Sequence, residues 1–184
     1  MMLEKIKNQL LQNADTTGIK FYIGDTEFSS QEIPFNNTYM EESTYNELCK
    51  LYNKEQQEAF FRELEFDFVS VSKKGNLDFI HITDYEKTPT IESEGLYASM
   101  DWIPNLGTGI YVWDYNDPNK AVSMSQFKHH NKNTDTTEIR GTFHGEYHKC
   151  IFSDSNYVAC NHVGYIVLKT LQVPAEDILK KALI

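Results

Sequence analysis

Two stretches of alternating residues, FDFVSVS (Phe66–Ser72) and LDFIHIT (Leu77–Thr83), constrain this chain most. Period two sends successive side chains to opposite faces, so each stretch predicts a half-buried strand. Lys73-Lys74-Gly75-Asn76 between them carries turn chemistry and predicts a hairpin. Such strands need an apolar partner layer. With 184 residues, 40% of them hydrophobic and 13% aromatic, the chain can supply one.

Helical signals lie on both sides of this pair. Leu3, Ile6, Leu10 and Leu11 recur at helical spacing over residues 3–12. IKFYI, ending at Ile23, predicts a short strand, and residues 25–42 read as irregular. Ser43 is placed to cap a helix through Tyr52. Asn53 with Gln56 three residues on predicts a capping box for a helix ending near Leu64. Thr88-Pro89 predicts a helix start and Gly95 its end. Ile110–Trp113 reads as a strand, and Asp117-Pro118 as the start of a helix to about His130. EIRGTF and EYHKCIF predict strands around a His144-Gly145 turn. GYIVLKT is rich in strand formers, and Pro174 predicts a C-terminal helix through Leu183. The sum is an α+β pattern.

Charge and cysteines narrow the function classes. A net charge of -10 argues against a broad grip on naked nucleic acid, which relies on neutralising phosphates. Arg62 and Arg140 are the only arginines, which restricts bidentate phosphate clamps. No run of about 18 apolar residues is present, so no membrane partner is expected. The first residues read as an amphipathic helix and not as a secretion signal. Three cysteines, an odd number, then predict reduced thiols and a cytoplasmic location.

Three pieces stand in order: His81-x-Thr83 in a strand, Ile91-x-x-x-Gly95-Leu96 closing a helix, and Leu106-Gly107-x-Gly109-Ile110-Tyr111 entering a strand. A helix beginning near Ala121 follows. This ordered set resembles the core of the ADP-ribosyltransferase superfamily. It is most similar to the branch with His and Tyr as its first two signature residues, which holds the poly(ADP-ribose) polymerases and bacterial toxin-type mono-ADP-ribosyltransferases. GYIVLKTLQVPAEDI resembles the last strand and tail of the toxin branch. The resemblance covers roughly residues 77–179.

The resemblance implies split antiparallel sheets with flanking helices over residues 76–184, and residues 1–75 as an N-terminal accessory segment of helices and strand. It implies NAD as substrate. His81 would anchor a ribose hydroxyl with Thr83 in support, and Tyr111 would stack on nicotinamide. Ile82, Gly95, Gly107 and Gly109 would complete the cofactor-binding set. The third signature residue, usually glutamate, falls near Gly164 or Tyr165. Either Glu146 supplies the acid in its place, or this branch dispenses with it. The catalytic set implied is therefore His81, Tyr111 and Glu146.

The expected activity is NAD-dependent mono-ADP-ribosyl transfer to a macromolecule, as by a bacterial or phage toxin or anti-defence effector. A protein target is expected, with nucleic acid as the alternative. A non-catalytic binding protein of the same fold is the second reading, and an RNA 2'-phosphotransferase-like enzyme the third. A separate pattern, His148-x-Cys150 and Cys160-x-His162, would bring four side chains to one face if paired in antiparallel register. Two thiolates and two imidazoles suit tetrahedral zinc. The expected reading is no metal, with two buried thiols and two surface histidines, and zinc is the alternative.

Overall fold

The computed structural model describes residues 1–14, 21–23, 26–28, 36–98, 109–118, 136–154 and 163–179, with backbone alone at 21–23, 26–28 and 136. The chain is α+β, with helices flanking a mixed sheet. Two compact units are formed. One holds the described residues within Met1–Lys73 and His148–Val163, the other those within Lys74–Ser99, Thr108–Tyr147 and Gly164–Ile184.

The first unit opens with α1 (Met2–Gln12), whose Ile6 and Leu10 are buried as their spacing predicts. A short antiparallel hairpin follows, β1 (Phe21–Ile23) with β2 (Thr26–Phe28). Residues 37–41, expected to be irregular, form strand β3 (Asn37–Glu41). It runs parallel to the start of β4 (Phe68–Asp84), from Asn37↔Phe68 to Glu41↔Ser72. Parallel neighbours require a crossover. Helices α2 (Glu42–Leu51) and α3 (Lys54–Glu63) supply it. Thr38 and Met40 on β3 are buried, and the Thr38 hydroxyl donates to the Leu10 carbonyl at 2.5 Å. That bond ties β3 to α1, a contact between residues far apart in the chain.

Ser43 does not cap α2. The helix begins at Glu42 with no side-chain cap, so Ser43 lies in its first turn. The expected capping box at α3 is present. Asn53 Oδ1 accepts from the Gln56 amide and Gln56 Oε1 accepts from the Asn53 amide, both at 2.9 Å. Asn53→Ala is expected to cost about 1 kcal/mol, read as a shift in urea midpoint at constant slope. The core of this unit gathers Ile6, Leu10, Met40, Leu48, Phe61, Phe66, Val69, Val71 and Phe152.

In the second unit, α4 (Thr88–Glu94) and β5 (Leu96–Tyr97) follow β4. The remaining strands are β6 (Ile110–Asp114), β7 (Thr136–Ser153), β8 (Ile166–Leu168) and β9 (Gln172–Val173). Strand order is β4-β6-β8-β7, and β7 also pairs with β4. β6 is antiparallel to both β4 and β8. Leu77, Phe79, Ile110, Val112, Ile139, Ile166 and Leu168 are central to the core.

Both expected turns are absent. Residues 68–84 form one continuous strand, and so do residues 136–153. Gly75 and Gly145 adopt φ of 152° and 155°, a region costly for other residues. The glycines therefore let long strands bend instead of reversing them. His144 Nδ1 lies 2.6 Å from Asn76 Oδ1, so the two bends share a polar contact.

Gly95 closes α4 at φ 88°, as expected, and a Cβ there would collide with the Val173 carbonyl. Of the C-terminal helix expected from Pro174 through Leu183, the described part to Leu179 holds one 3-10 turn, Ala175–Asp177, and the rest lies outside the described residues. Ile178 then returns to extended backbone, bridges Gly141 and is buried in the core. Burying that side chain outweighs a helix continued at the surface. The helix expected from Asp117-Pro118 lies outside the described residues beyond Pro118. Among the described residues, no helix is long and apolar enough to cross a membrane.

Candidate functional site

β4 and β6 carry the first two predicted residues. Pairing Phe79↔Asp114 and Ile80↔Trp113 sets them side by side. Ile80 and Ile82 pack with Trp113 and Tyr165, and Tyr111 and Tyr115 lie against that cluster. Alternation then sends His81 and Thr83 to the other face of β4. The structure thus brings the His81 side chain to the Tyr111 backbone and not to the Tyr111 ring.

His81 Nδ1 lies 2.7 Å from the Tyr111 carbonyl oxygen. A carbonyl only accepts, so Nδ1 carries the proton and donates. In the neutral ring Nε2 is then an acceptor with a lone pair. Burial drives the His81 pKa below its ordinary value, the bond to Tyr111 opposes this, and the nearby Lys87 charge adds to the lowering. The ring is therefore neutral at physiological pH.

This has a pH consequence. Above 6.5, the ordinary histidine value, His81 is neutral both folded and unfolded. Below it the unfolded chain takes up a proton that the folded chain resists, so stability falls as pH drops, until the folded pKa is passed. His81→Asn is expected to remove this part of the slope in urea unfolding measured between pH 7 and 5.

Tyr111 belongs to an aromatic series. Its ring centroid is 5.4 Å from that of Tyr165, which is 4.5 Å from Trp113. The sequence signal for this face is YVWDY, with aromatics at Tyr111, Trp113 and Tyr115 on every second residue. Sequence reasoning took only Tyr111 from it. Tyr165 is buried in the same cluster. Arg140 on β7 adds a cation. Its Cζ lies 3.7 Å from the centre of the Tyr115 ring.

Glu146 is exposed on β7, and its carbonyl accepts from the Lys169 amide at 3.0 Å. Gly107 lies outside the described residues. A Cβ on Gly109 would collide with the Leu168 carbonyl and the Val167 side chain. Close approach of β8 therefore requires this glycine, whatever ligand passes nearby. Gly109→Ala is expected to cost about 1–3 kcal/mol through overpacking, measured by denaturant unfolding.

Half of the possible zinc set is described. His148 is buried with its ring centroid 4.6 Å from that of Tyr39. Cys150 is fully buried, its thiol donates to the Phe152 carbonyl at 3.2 Å, and burial pushes its pKa up to about 12. Cys160 and His162 lie outside the described residues. Among the described residues, no three His, Cys, Asp or Glu side chains group to hold a metal.

The second unit also has a cleft of about 500 Å³ whose lining includes Asp78, Asp114, Asn116, His144, Tyr147 and Asp177. None of the predicted site residues lines it. No family model matches this chain, and neither a curated protein nor a solved structure matches it.

Proposed function

We propose that the chain is an NAD-dependent mono-ADP-ribosyltransferase whose site is built on β4 and β6. The observation that carries this reading is the 2.7 Å contact of His81 Nδ1 with the Tyr111 carbonyl. It joins the two residues that the resemblance singles out, across adjacent strands. It also leaves Nε2 as an acceptor, which is what anchoring a ribose hydroxyl requires.

The chemistry resembles glycoside cleavage. The bond from the ribose anomeric carbon to nicotinamide breaks, and nicotinamide leaves as a neutral molecule. An acceptor nucleophile forms the new bond at that carbon and gives up its proton. The intervening state has oxocarbenium character. Preorganised hydrogen bonds lower its energy most. The Tyr111 ring, with Tyr165 and Trp113, lies on the face of the sheet opposite the His81 side chain, so the nicotinamide-stacking role of Tyr111 rests on the resemblance alone. The macromolecular acceptor proposed is a protein, with a nucleic acid as the alternative.

A second reading is an NAD-binding protein of the same fold that transfers nothing. Buried Tyr165, in place of an acid at the third position, favours it. Glu146 is then a solvated surface charge. An RNA 2'-phosphotransferase-like reading draws no comparable support, because Arg140 is the sole arginine of the second unit.

The test uses NAD labelled on the adenylate phosphate, with and without bacterial lysate. Label in a macromolecular band supports transfer. Binding of NAD by calorimetry without any label transfer selects the second reading. No NAD binding by calorimetry or thermal shift removes both.

A further inference from the structure

Arg140 is the most conspicuous charged side chain of the second unit. Its guanidinium carbon lies over Tyr115, 3.7 Å from the ring centre, and its Nε is buried without a hydrogen-bond partner. Among the described residues no carboxylate pairs with it, although the chain carries 27 acidic residues against 17 basic ones. A cation half-buried among so many acids would ordinarily have recruited one.

Its backbone is fixed from the C-terminal side. The Arg140 carbonyl accepts from the Leu179 amide at 2.8 Å, and the neighbouring Gly141 bridges Ile178. Stacking on Tyr115 then limits the side chain further. Tyr115 itself lies against the cluster of Trp113, Tyr165 and Tyr111. The result is a positioned, planar donor fork beside an aromatic surface. That combination suits a phosphate attached to a flat heterocycle, because the fork bonds two phosphate oxygens at once.

We propose that Arg140, seated on Tyr115, is a phosphate-binding group. Resting on the NAD reading above, the anion it takes is the diphosphate of the dinucleotide. The guanidinium donates to non-bridging diphosphate oxygens through its terminal nitrogens. Tyr115 holds the fork in plane, so less side-chain freedom is lost on binding.

Calorimetry with inorganic pyrophosphate and with NAD tests this on wild type, Arg140→Ala, Arg140→Lys and Arg62→Ala. Arg140→Ala is expected to weaken both ligands about tenfold or more. Arg140→Lys keeps the charge without the fork, and is expected to restore only part of the affinity. It is also the variant read if the alanine form fails to fold. Arg62, over Phe152 at 5.3 Å in the first unit, is the control and is expected to change neither affinity.

The phosphate site is overturned if wild type binds neither ligand, if no Arg140 variant changes either affinity, or if Arg62→Ala weakens binding as much. Pyrophosphate binding that depends on Arg140, without NAD binding, keeps the phosphate site and removes the NAD reading. NAD binding untouched by Arg140 does the reverse.

Discussion

His81→Ala is expected to lower the rate of label transfer from NAD by about a hundredfold, the scale of losing one preorganised donor or acceptor from a transition state. The alanine form alone confounds two roles. It removes Nε2, proposed to hold the ribose, and it also removes the bond from Nδ1 to the Tyr111 carbonyl. Losing one such hydrogen bond costs about 0.5–1.5 kcal/mol of stability. His81→Asn separates the two. The asparagine amide nitrogen sits where Nδ1 sits and donates to the same carbonyl, but nothing replaces Nε2. Stability near wild type combined with loss of NAD affinity and transfer supports the ribose role. Asparagine that binds and transfers like histidine would assign His81 to structure alone.

Phe79→Ala is expected to cost about 3–5 kcal/mol, a cavity-forming loss in a tightly packed site. Phe79 is fully buried among Leu77, Ile110, Val112, Ile166 and Leu168. Against a total stability of about 5–15 kcal/mol for a typical domain, that is a severe loss. The site also explains Gly141. A Cβ there would press into the Phe79 ring and approach the Asp177 carbonyl. Gly141→Ala is therefore destabilising in wild type but less so once Phe79 is alanine, since the ring no longer resists. Chemical denaturation of both singles and the double variant reads the coupling. Strict additivity would show that the ring does not set the glycine requirement.

Legibility in the sequence was uneven, and the unevenness has a physical pattern. The capping box at Asn53 and Gln56 was readable because both its bonds close within four residues. Gly95 was readable because a helix end imposes a positive φ on one residue. Gly75 and Gly145 carried the same local signal but a different outcome. A glycine states that an unusual φ is allowed, not whether the chain reverses. Each strand runs on through its glycine, Phe68–Asp84 in β4 and Thr136–Ser153 in β7, so the chain bends there instead of reversing.

The candidate site divides in the same way. His81 and Tyr111 stand out by type, order and separation along the chain. That the His81 ring meets the Tyr111 backbone, and the Tyr111 ring meets Tyr165, depends on strand order and pleat. Arg140 on Tyr115 left no local trace, because the two come from β7 and the end of β6.

By itself the sequence determined the helices of the first unit, the glycine that ends α4, and the alternating faces of β4 and β6. Each rests on hydrogen bonds or side-chain periods spanning a few residues. Only the tertiary structure decided that β3 runs parallel to β4, that Ile178 leaves the helical path to enter the core, and which tautomer His81 holds. These choices rest on burial and hydrogen bonds between segments tens of residues apart. Such partners exist only once the sheet has assembled, so no local window contains them.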